Sequence, residues 1–521
     1  MRWSLFFPLL IIGIAMISII CQAVQVDGHC FLQNQNNHGG SRVLFEADTP
    51  GAETDSTFTD NEGYYQIDLT AGGYDIYFSH EGFSEDSLTN RVLISPITLP
   101  TVTLIELPHG VYISGALSGI LEDTAYIIND EAWVAQGDSL IIEAGATLYF
   151  IRNSSQNLFF RVYGYLCAIG TESDTIKFTS YPGFLNWITF GFWDSPDTSR
   201  LEYCLFSGFH LAGVECVRAS PIFINCRMIN NDTGIQCGES QALFSYCTIT
   251  SNIYYQVNLE DYSNTTFDHC LITNGPYEGV DCEYSNPTFS NCTITGNTGQ
   301  GIRCMDSSVA NIVNCIIANN GIGISFSESP NVVVFYSDLY GNSLGNFTGD
   351  PPPYLGQIAG VNNNGDPCDL FYNIFLNPQF ENVPGGDYHL QSGSPCIDAG
   401  DPTSPLDPDS TIADLGAFYF NQLGVINPPT PIPPTTYALL PPYPNPFNSV
   451  LVIPFTIPIQ KEVIINIYNI LGQKVQTFTF PPLSPGAHRV VWNSGECASG
   501  IYFIRMNTNG GEFRQKVVLL K

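Results

Sequence analysis

Four acidic residues recur at intervals of 22 or 23 residues in the middle of the chain: Asp261, Glu283, Asp306 and Glu328. If each interval is one layer of stacked strands, about 4.8 Å apart, the four carboxylates form a column. Like charges at that spacing raise one another's pKa unless a cation or sugar hydroxyls lie between them. We therefore expect a stripe that binds calcium or carbohydrate, and the alternative is a solvated turn on an acidic protein.

Aromatic residues accompany the acids. Tyr254, Tyr255, Tyr262 and Tyr284 would offer rings for sugar stacking if they face outward. A second acidic group, Asp407, Asp409 and Asp414, has alternating carboxylates as calcium loops do. It lacks the glycine and the closing glutamate of the EF-hand pattern. Calcium is thus the one cofactor that the sequence suggests.

Evidence for catalysis is weak. None of the eight histidines lies at metal-ligand spacing from another, and there is no Cys-x-x-Cys pattern, which argues against zinc. Polysaccharide lyases need a basic residue beside a calcium-held uronate, but the arginines of this region, Arg200, Arg218, Arg227 and Arg303, share no register. Paired carboxylates for hydrolysis could come from almost any acidic stripe. An enzyme, either a polysaccharide lyase or a glycoside hydrolase, is therefore only an alternative.

A repeat must position these residues. Its members lie 21 to 23 residues apart: Cys204, Cys226, Cys247, Cys270, Cys292, Cys315 and Ser337. In each unit, apolar positions alternate with polar ones, which is the pattern of a strand. A second short strand follows about eleven residues later, for example at 213–216 and 301–304. Short strands separated by Gly, Asn, Ser and Pro leave no room for a helix, so each unit of about 22 residues is one coil of a parallel β-helix.

Asparagine recurs five residues after the cysteine, at 231, 252, 297, 320 and 342, with Gly275 as the exception. Asn and Gly tolerate the left-handed backbone of a sharp corner, and stacked Asn amides can hydrogen-bond from coil to coil. With these features the chain resembles the right-handed parallel β-helix family, which includes pectate lyases and many secreted bacterial surface proteins. The stacked cysteines are expected to be buried thiols rather than disulfides.

Residues 1–23 are typical of a secretory signal peptide, with Arg2 ahead of an apolar stretch that ends in small residues. A lipoprotein anchor on Cys21 is the alternative. No later segment is apolar enough to span a membrane. Residues 24–105 have alternating strands and turn clusters of a β-sandwich. The turn at 59–63 and the strand that follows it resemble the carboxypeptidase-regulatory-like module, which implies a spacer or interaction domain without catalysis.

Residues 106–425 are predicted to be the β-helix with its terminal caps. The stretch 110–200 resembles the opening coils of extracellular β-helices, and 373–417 resembles the closing segment of such proteins. Cys368 and Cys396 are candidates for a disulfide in that closing segment. Residues 426–442 are rich in proline and predict a semi-rigid linker.

Residues 443–521 contain, in order, Pro-Asn-Pro-Phe at 444–447, Tyr-Asn-Ile-Leu-Gly at 468–472, Ser-Gly-Ile-Tyr at 499–502 and a basic-apolar end. The segment closely resembles the Ig-like C-terminal sorting domain of type IX secretion cargo. That resemblance implies export by the type IX secretion machinery, across a bacterial outer membrane, to the cell surface or the medium. An ordinary adhesive β-sandwich is the alternative.

Composition narrows the partners. The chain of 521 residues has a formal net charge of -32, from 49 acids and 17 bases. Such a surface repels nucleic acid and anionic membranes. We therefore predict an all-β protein, a monomer in which a β-helix is flanked by two small sandwiches, that binds an extracellular polysaccharide or a cell-surface glycan as an adhesin does. The other alternative to an enzyme is a structural stalk without a ligand.

Overall fold

The computed structural model describes residues 23–151, 158–181, 188–195, 199–327, 332–422, 437–442, 445–447, 450–459, 461–483, 486–495, 497–508 and 511–520. These residues form strands and one short 3-10 turn, Val383–Gly385. The predicted signal peptide, apart from Ala23, and most of the proline-rich linker lie outside the described residues. The chain divides into two compact units, Met1–Pro108 and His109–Lys521, and each is described by itself.

The first unit is a sandwich of two four-stranded sheets. Its strands are β1 (Ala23–Leu32), β2 (Arg42–Ala47), β3 (Asp55–Phe58), β4 (Tyr64–Thr70), β5 (Gly72–Ser79), β6 (Asp86–Leu93), β7 (Ile97–Thr98) and β8 (Val102–Leu104). One sheet is β4-β1-β7 with β8 also on β1, and the other is β3-β2-β5-β6. Alternate side chains such as Val26, Phe45 and Tyr74 fill one shared core. The expected β-sandwich is therefore present.

The second unit begins with a long series of short strands. They are β9 (Val111–Tyr112), β10 (Gly115–Ala116), β11 (Gly119–Leu121), β12 (Ala125–Ile128), β13 (Ala132–Val134), β14 (Ser139–Ile142), β15 (Thr147–Phe150), β16 (Leu158–Val162), β17 (Tyr165–Ile169), β18 (Ile176–Ser180), β19 (Ile188–Trp193), β20 (Arg200–Glu202), β21 (Cys204–Ser207), β22 (Ala212–Val217), β23 (Ile222–Ile224), β24 (Arg227–Ile229), β25 (Thr233–Gly238), β26 (Leu243–Ser245), β27 (Thr248–Thr250), β28 (Val257–Glu260), β29 (Thr266–Asp268), β30 (Leu271–Thr273), β31 (Val280–Glu283), β32 (Thr288–Ser290), β33 (Thr293–Thr295), β34 (Gln300–Met305), β35 (Asn311–Val313), β36 (Ile316–Ala318), β37 (Ile322–Phe326), β38 (Val333–Phe335), β39 (Asp338–Tyr340) and β40 (Phe347–Gly349).

Every third strand of this series joins the same parallel sheet. Sheet 1 contains β9, β12 and every third strand to β39; sheet 2 runs likewise from β10 to β40, and sheet 3 from β11 to β38. Each coil thus contributes one strand to each sheet, which confirms the predicted parallel β-helix. The coils begin at β9, so the strands described between residues 110 and 200 already belong to the stack.

The interior is a shaft of apolar side chains that repeat from coil to coil. Phe223, Phe244, Phe267 and Phe289 of sheet 3 stack with ring centroids 4.7, 5.2 and 5.1 Å apart and their planes nearly parallel. The stacked cysteines are fully or almost fully buried. Strands this short bury little surface alone, so each coil depends on its neighbours for stability.

Each coil turns three corners, and from Tyr203 to Asn342 most of them share one local arrangement. A residue with positive φ immediately precedes a small, buried residue that stacks on its equivalent in the next coil. In one coil these left-handed residues are Asn230 (φ 56°), Glu239 (φ 50°) and Tyr246 (φ 53°), followed by Asn231, Ser240 and Cys247. The prediction that the stacked asparagines themselves adopt the left-handed conformation is wrong, because it is the preceding residue that does so.

The asparagine corner is held by side-chain amides that hydrogen-bond along the stack. Asn297 Nδ2 donates to Asn320 Oδ1 at 3.0 Å, and Asn320 Nδ2 donates to Asn342 Oδ1 at 3.2 Å. Where the asparagine is missing, at Gly275, Gln256 occupies the space: a Cβ on Gly275 would lie 2.7 Å from Gln256 Nε2. Gln256 belongs to the preceding coil, where its Oε1 accepts from Asn252 Nδ2 at 2.8 Å, so its amide takes the place of the missing asparagine.

The described cysteines are free thiols. In the cysteine column each Sγ points to backbone carbonyls; Cys292, for example, lies 3.5 Å from the oxygen of Phe267. Burial raises the pKa of the Cys226, Cys247 and Cys270 thiols well above the ordinary value. The expectation of buried thiols is confirmed.

A closing segment after the last coil folds back over sheet 1. It contains β41 (Gly360–Val361), β42 (Pro367–Cys368), β43 (Phe380–Asn382) and β44 (Asp387–Leu390). Its residues Ile374, Tyr388 and Leu415 pack against Leu271 and Ile316, which point outward from sheet 1. The segment therefore covers a side of the β-helix as well as following its end.

The disulfide predicted between Cys368 and Cys396 is absent. The Sγ of Cys396 lies 3.6 Å from Oδ2 of the fully buried Asp338, so this thiol contacts a carboxyl group rather than Cys368.

The C-terminal region is a second small β-sandwich. Its strands are β45 (Ala438–Leu439), β46 (Val450–Ile457), β47 (Lys461–Asn469), β48 (Lys474–Leu483), β49 (Gly486–Asn493), β50 (Gly500–Thr508) and β51 (Gly511–Leu519). They form the antiparallel sheets β45-β46-β49 and β48-β47-β50-β51. Phe447 of the Pro-Asn-Pro-Phe motif is buried in the shared core with Trp492 and Tyr502.

Replacing Asn297 by alanine should destabilise the β-helix by about 1 to 3 kcal/mol, because buried partners lose their hydrogen bonds. Asn297 Oδ1 accepts from Gly275 N at 2.9 Å, and its amide donates to Asn320. The measurement is the thermal unfolding midpoint by circular dichroism. Asn264→Ala, at an exposed position, is the control. An equal midpoint for the two variants would contradict the structural role of the asparagine stack.

Candidate functional site

The outer face of sheet 2 carries one continuous column of outward-pointing residues. In this sheet inward residues such as Val214 and Cys216 alternate with outward ones such as Glu215. Strand pairing places the following residues next to one another in order: Trp133, Arg161, Gly191, Glu215, Gln236, Asn258, Asp281, Arg303, Ser325 and Thr348. The face therefore presents a polar stripe that is aromatic at one end.

Both arginines of this column are paired with acids. Arg303 binds Asp281 through two contacts of 2.7 and 2.5 Å, and Glu278 lies 4.0 Å away. Hydrogen bonding to Asp281 raises the pKa of Arg303 above its already high value. Arg161 lies 3.7 Å from Glu131. Charge on this face is thus compensated locally, and the remaining groups can act as hydrogen-bond donors and acceptors.

Two pairs of exposed tyrosines flank strands β28 and β31 of this face. Tyr254 and Tyr277 precede the two strands, with ring centroids 6.3 Å apart and planes inclined by 19°. Tyr262 and Tyr284 follow them, with centroids 6.4 Å apart and planes inclined by 43°. Between the pairs lie Asn258, Glu260, Asp281 and Glu283, and Asn258 Nδ2 donates to Glu260 Oε1 at 2.7 Å. Aromatic surface at both ends of a polar strip suits a ligand with apolar faces and polar edges.

The predicted acid column is wrong in its register. Glu283 ends β31 and pairs with Met305, whereas Asp306 lies one residue further on, in the turn. Asp261 lies in the equivalent turn, after Glu260, and is exposed. Glu328 lies outside the described residues. The acids therefore occupy two adjacent positions at one edge of sheet 2 and do not form a single column.

The misalignment comes from turns of unequal length. From the end of the sheet 2 strand to the buried serine of the corner, the chain advances by two residues in one coil and by three in the next. The serines are Ser240, Ser263, Ser285 and Ser308. The longer turns contain two left-handed residues in succession, Asp261 with Tyr262 and Asp306 with Ser307. Tyr262 immediately precedes Ser263 in a longer turn and is 69% exposed, and Tyr284 occupies the same place before Ser285 in a shorter turn and is also exposed.

Asp407, Asp409 and Asp414 lie together in the closing segment. Both oxygens of Asp414 accept backbone N–H groups, from Asp398 at 2.7 Å and Phe420 at 2.6 Å. Asp409 accepts from Thr411 and Gln422, and Asp407 accepts from the Asp414 N–H. The three carboxylates thus serve as turn-forming acceptors, and calcium binding by them stays a prediction.

In the part of the chain that the structure describes, no group of three or more His, Cys, Asp or Glu side chains is arranged to hold a metal ion. Nor does any helix there have the length and apolar character needed to cross a membrane.

Sequence reasoning missed most of the sheet 2 face. The signal was available, because the residue before the second cysteine of a coil is polar in each case: Glu215, Gln236, Asp281 and Arg303. Those positions alternate with the buried cysteines and so must point outward. Of the tyrosines that were singled out, Tyr254, Tyr262 and Tyr284 are exposed as expected, and Tyr255 is half-buried.

Comparison with protein families gives two matches. Residues 199–367 match the right handed beta helix region, and residues 442–520 match the secretion system C-terminal sorting domain. The chain carries a right-handed β-helix and a secretion sorting domain. The sorting domain is handled by the type IX secretion machinery, so this β-helix protein is exported from a bacterial cell. No curated protein matches the chain.

Solved structures resemble the β-helix protein only distantly. A chain of a cohesin–X-dockerin complex from Acetivibrio cellulolyticus is 18% identical. The match covers 16% of this chain and 58% of the other, with a TM-score of 0.14. The A-module of a mannuronan C-5 epimerase from Azotobacter vinelandii shares 13% identity over 46% of this chain and 80% of the other, with a TM-score of 0.30. The enzymatically active domain of bacteriophage CBA120 tailspike protein 2 shares 10% identity over 76% of this chain and 72% of the other, with a TM-score of 0.32.

The stability of the closing segment should depend on pH through Asp414. Burial, with Asp407 and Asp398 nearby, raises the pKa of Asp414 from 3.8 to about 7. Between pH 3.8 and about 7 the carboxyl of Asp414 is ionised in the unfolded chain but keeps its proton in the folded chain. The free energy of unfolding therefore falls as pH rises through this range, and it levels off above about pH 7.

Asp414→Asn should therefore flatten the decrease in unfolding midpoint between pH 4 and pH 7, measured by differential scanning calorimetry. Asp350→Asn, at an exposed position, should keep the wild-type profile. If the Asp414→Asn profile is as steep as that of the wild type, Asp414 does not titrate in this window.

Proposed function

We propose that this exported β-helix protein binds a carbohydrate polymer on the outer face of sheet 2. The observation that carries the proposal is the pair of tyrosine stacks, Tyr254 with Tyr277 and Tyr262 with Tyr284, that flank the polar strip of β28 and β31. Each ring can pack against the apolar face of a pyranose, while carboxylate and amide groups between them accept and donate hydrogen bonds to hydroxyls.

The repeat geometry favours a polymer over a small ligand. Successive strands of sheet 2 present equivalent positions about 4.8 Å apart, and the column extends from Trp133 to Thr348. A chain of similar units lying along the stack would meet a polar side chain at every strand from Glu215 to Thr348. Within the tyrosine-flanked strip, Asp281 is held by Arg303 and Asn258 by Glu260, so these groups are already ordered before a ligand binds.

Export supports an extracellular ligand. The C-terminal sorting domain directs secretion, and residues 1–23 are typical of a signal peptide for the first membrane. We propose that the mature protein acts at the outer cell surface or in the medium, where it attaches to a cell-surface glycan or an extracellular polysaccharide. Adhesion through the β-helix would leave the N-terminal sandwich as a spacer or interaction module.

The tyrosine pairs can be tested on a glycan array followed by isothermal titration with the best hit. Tyr262→Ala combined with Tyr284→Ala should weaken binding about tenfold or more, because each ring contact is worth roughly 1 kcal/mol. Tyr354→Ala, which removes an exposed tyrosine of the closing segment, is the matched control. Unchanged affinity in the double variant would disprove the site, and an array without hits would favour a ligand-free stalk.

Calcium binding at the edge of sheet 2 is a linked proposal. Asp261, Glu283 and Asp306 lie in successive coils at one edge of sheet 2, but no three of the acids described there are arranged to hold an ion by themselves. A cation bound to one or two of them would take most of its oxygens from water or from sugar hydroxyls. Added calcium should then raise the thermal midpoint of the wild-type protein. The double variant Glu283→Gln, Asp306→Asn should lose that rise; if its response to calcium equals that of the wild type, the edge acids do not bind the ion.

A further inference from the structure

A second feature of sheet 2 lies in the first coils, away from the tyrosine pairs. A groove of about 530 Å³ is open to solvent there. Its walls include the aromatic residues Trp133, Phe159 and Tyr163, and its polar residues include Glu131, Gln136 and Arg161. The volume falls in the range of sites that hold small ligands, and a mostly apolar lining with a few polar groups is their usual composition.

The floor of the groove is ordered by Arg161. Its guanidinium carbon lies 4.0 Å from the ring centroid of Phe159 and 5.2 Å from that of Trp193, so it stacks on both rings. Glu131 approaches it at 3.7 Å. An acid and two rings thus surround the guanidinium of Arg161, which lines the groove and whose Nε is buried without a hydrogen-bond partner.

Gly191 of the neighbouring strand β19 leaves the space in which Trp193 lies beside Arg161. Gly191 separates Arg161 from Glu215 in the column, and a Cβ at this glycine would lie 2.7 Å from Nε1 of Trp193. The indole can lie across that position because no side chain fills it. Its N–H donates to Glu215 Oε2 at 3.1 Å, which fixes the ring. Phe159, Arg161, Trp193 and Glu215 thus form one connected support across three strands.

We propose that this groove is a second, separate binding site, and that its ligand is an uncharged pyranose oligosaccharide. Trp133, Phe159 and Tyr163 offer apolar surface for sugar rings, while Gln136 and Glu131 can bind hydroxyls. Asp194 also lines the groove, where Arg218 binds its carboxylate through two hydrogen bonds. A uronate or phosphate would have to displace an acid from Arg161 or Arg218, on a chain of net charge -32. The charge of the site therefore selects against anionic sugars.

The groove is independent of the tyrosine-flanked strip. Strand β19, which contributes Trp193, is separated from β28 by three strand spacings of sheet 2, or roughly 14 Å. The two sites share no residue. A short oligosaccharide could occupy the groove whether or not the strip binds a polymer.

The test is a titration of the full-length protein with cellohexaose, mannohexaose and xylohexaose, and with hexagalacturonate as the anionic probe. Binding is followed by isothermal titration and by tryptophan fluorescence, because Trp133 lines the groove and Trp193 contacts Arg161. At least one neutral hexasaccharide should bind, and Trp133→Ala should weaken its affinity about tenfold or more. Trp133→Phe, which keeps an aromatic ring, should restore most of the affinity.

The double variant Tyr262→Ala, Tyr284→Ala separates the two sites. Its affinity for the neutral hexasaccharide should equal that of the wild type if the groove is the binding site. Binding that is lost in this double variant and kept in Trp133→Ala would overturn the groove and leave the strip as the carbohydrate site. No response to the three neutral probes at millimolar concentration, or tighter binding of hexagalacturonate, would also overturn the groove.

Discussion

Parallel hydrogen bonding of each coil onto the next is the constraint on which the β-helix depends. This hydrogen bonding requires each coil to bring its strands into register with those of the coil before, and the three corners of each coil provide that register. Each corner combines a left-handed residue with a small buried one: Asn231, Ser240 or Cys247 in one coil. A non-glycine residue in the left-handed region costs about 1 to 2 kcal/mol. The buried residue that follows offsets that cost by hydrogen bonding or packing along the stack.

The corners also determine which groups reach the surface of sheet 2. The residue that immediately precedes the buried serine is exposed in a longer and in a shorter turn alike. Tyr262 lies in the longer turn, above Tyr284 in the shorter turn of the next coil, whose carbonyl accepts the Tyr262 N–H at 2.9 Å. This tyrosine pair of the candidate carbohydrate site is therefore positioned by the corner itself.

Much of this architecture could be predicted from the sequence, because a repeat shows the same constraint several times. The cysteine and asparagine spacings were enough to predict the coil and its buried columns. The acid column was wrong because counting back from Cys270 and Cys292 assumes turns of equal length. The serine column was not noticed, since serine is common in loops.

The closing segment was harder to predict, because it has little periodic structure. Its packing over sheet 1 was indicated only by outward apolar residues, Leu271 and Ile316, at positions that are polar in most other coils. The proposed pairing of Cys368 with Cys396 rested on proximity in a loop-rich region. Burial of Asp338 beside Cys396 could not be deduced without knowing how that region folds back.

The substitution at Gly275 has a consequence for how such an array can change over evolutionary time. The asparagine is lost in that coil, yet Gln256 from the preceding coil brings an amide into the same space. A vacancy in one repeat can thus be filled by a compensating change in its neighbour. Individual repeats are free to drift apart in sequence, provided that adjacent ones change together, and the outer face can diversify while the shaft stays intact.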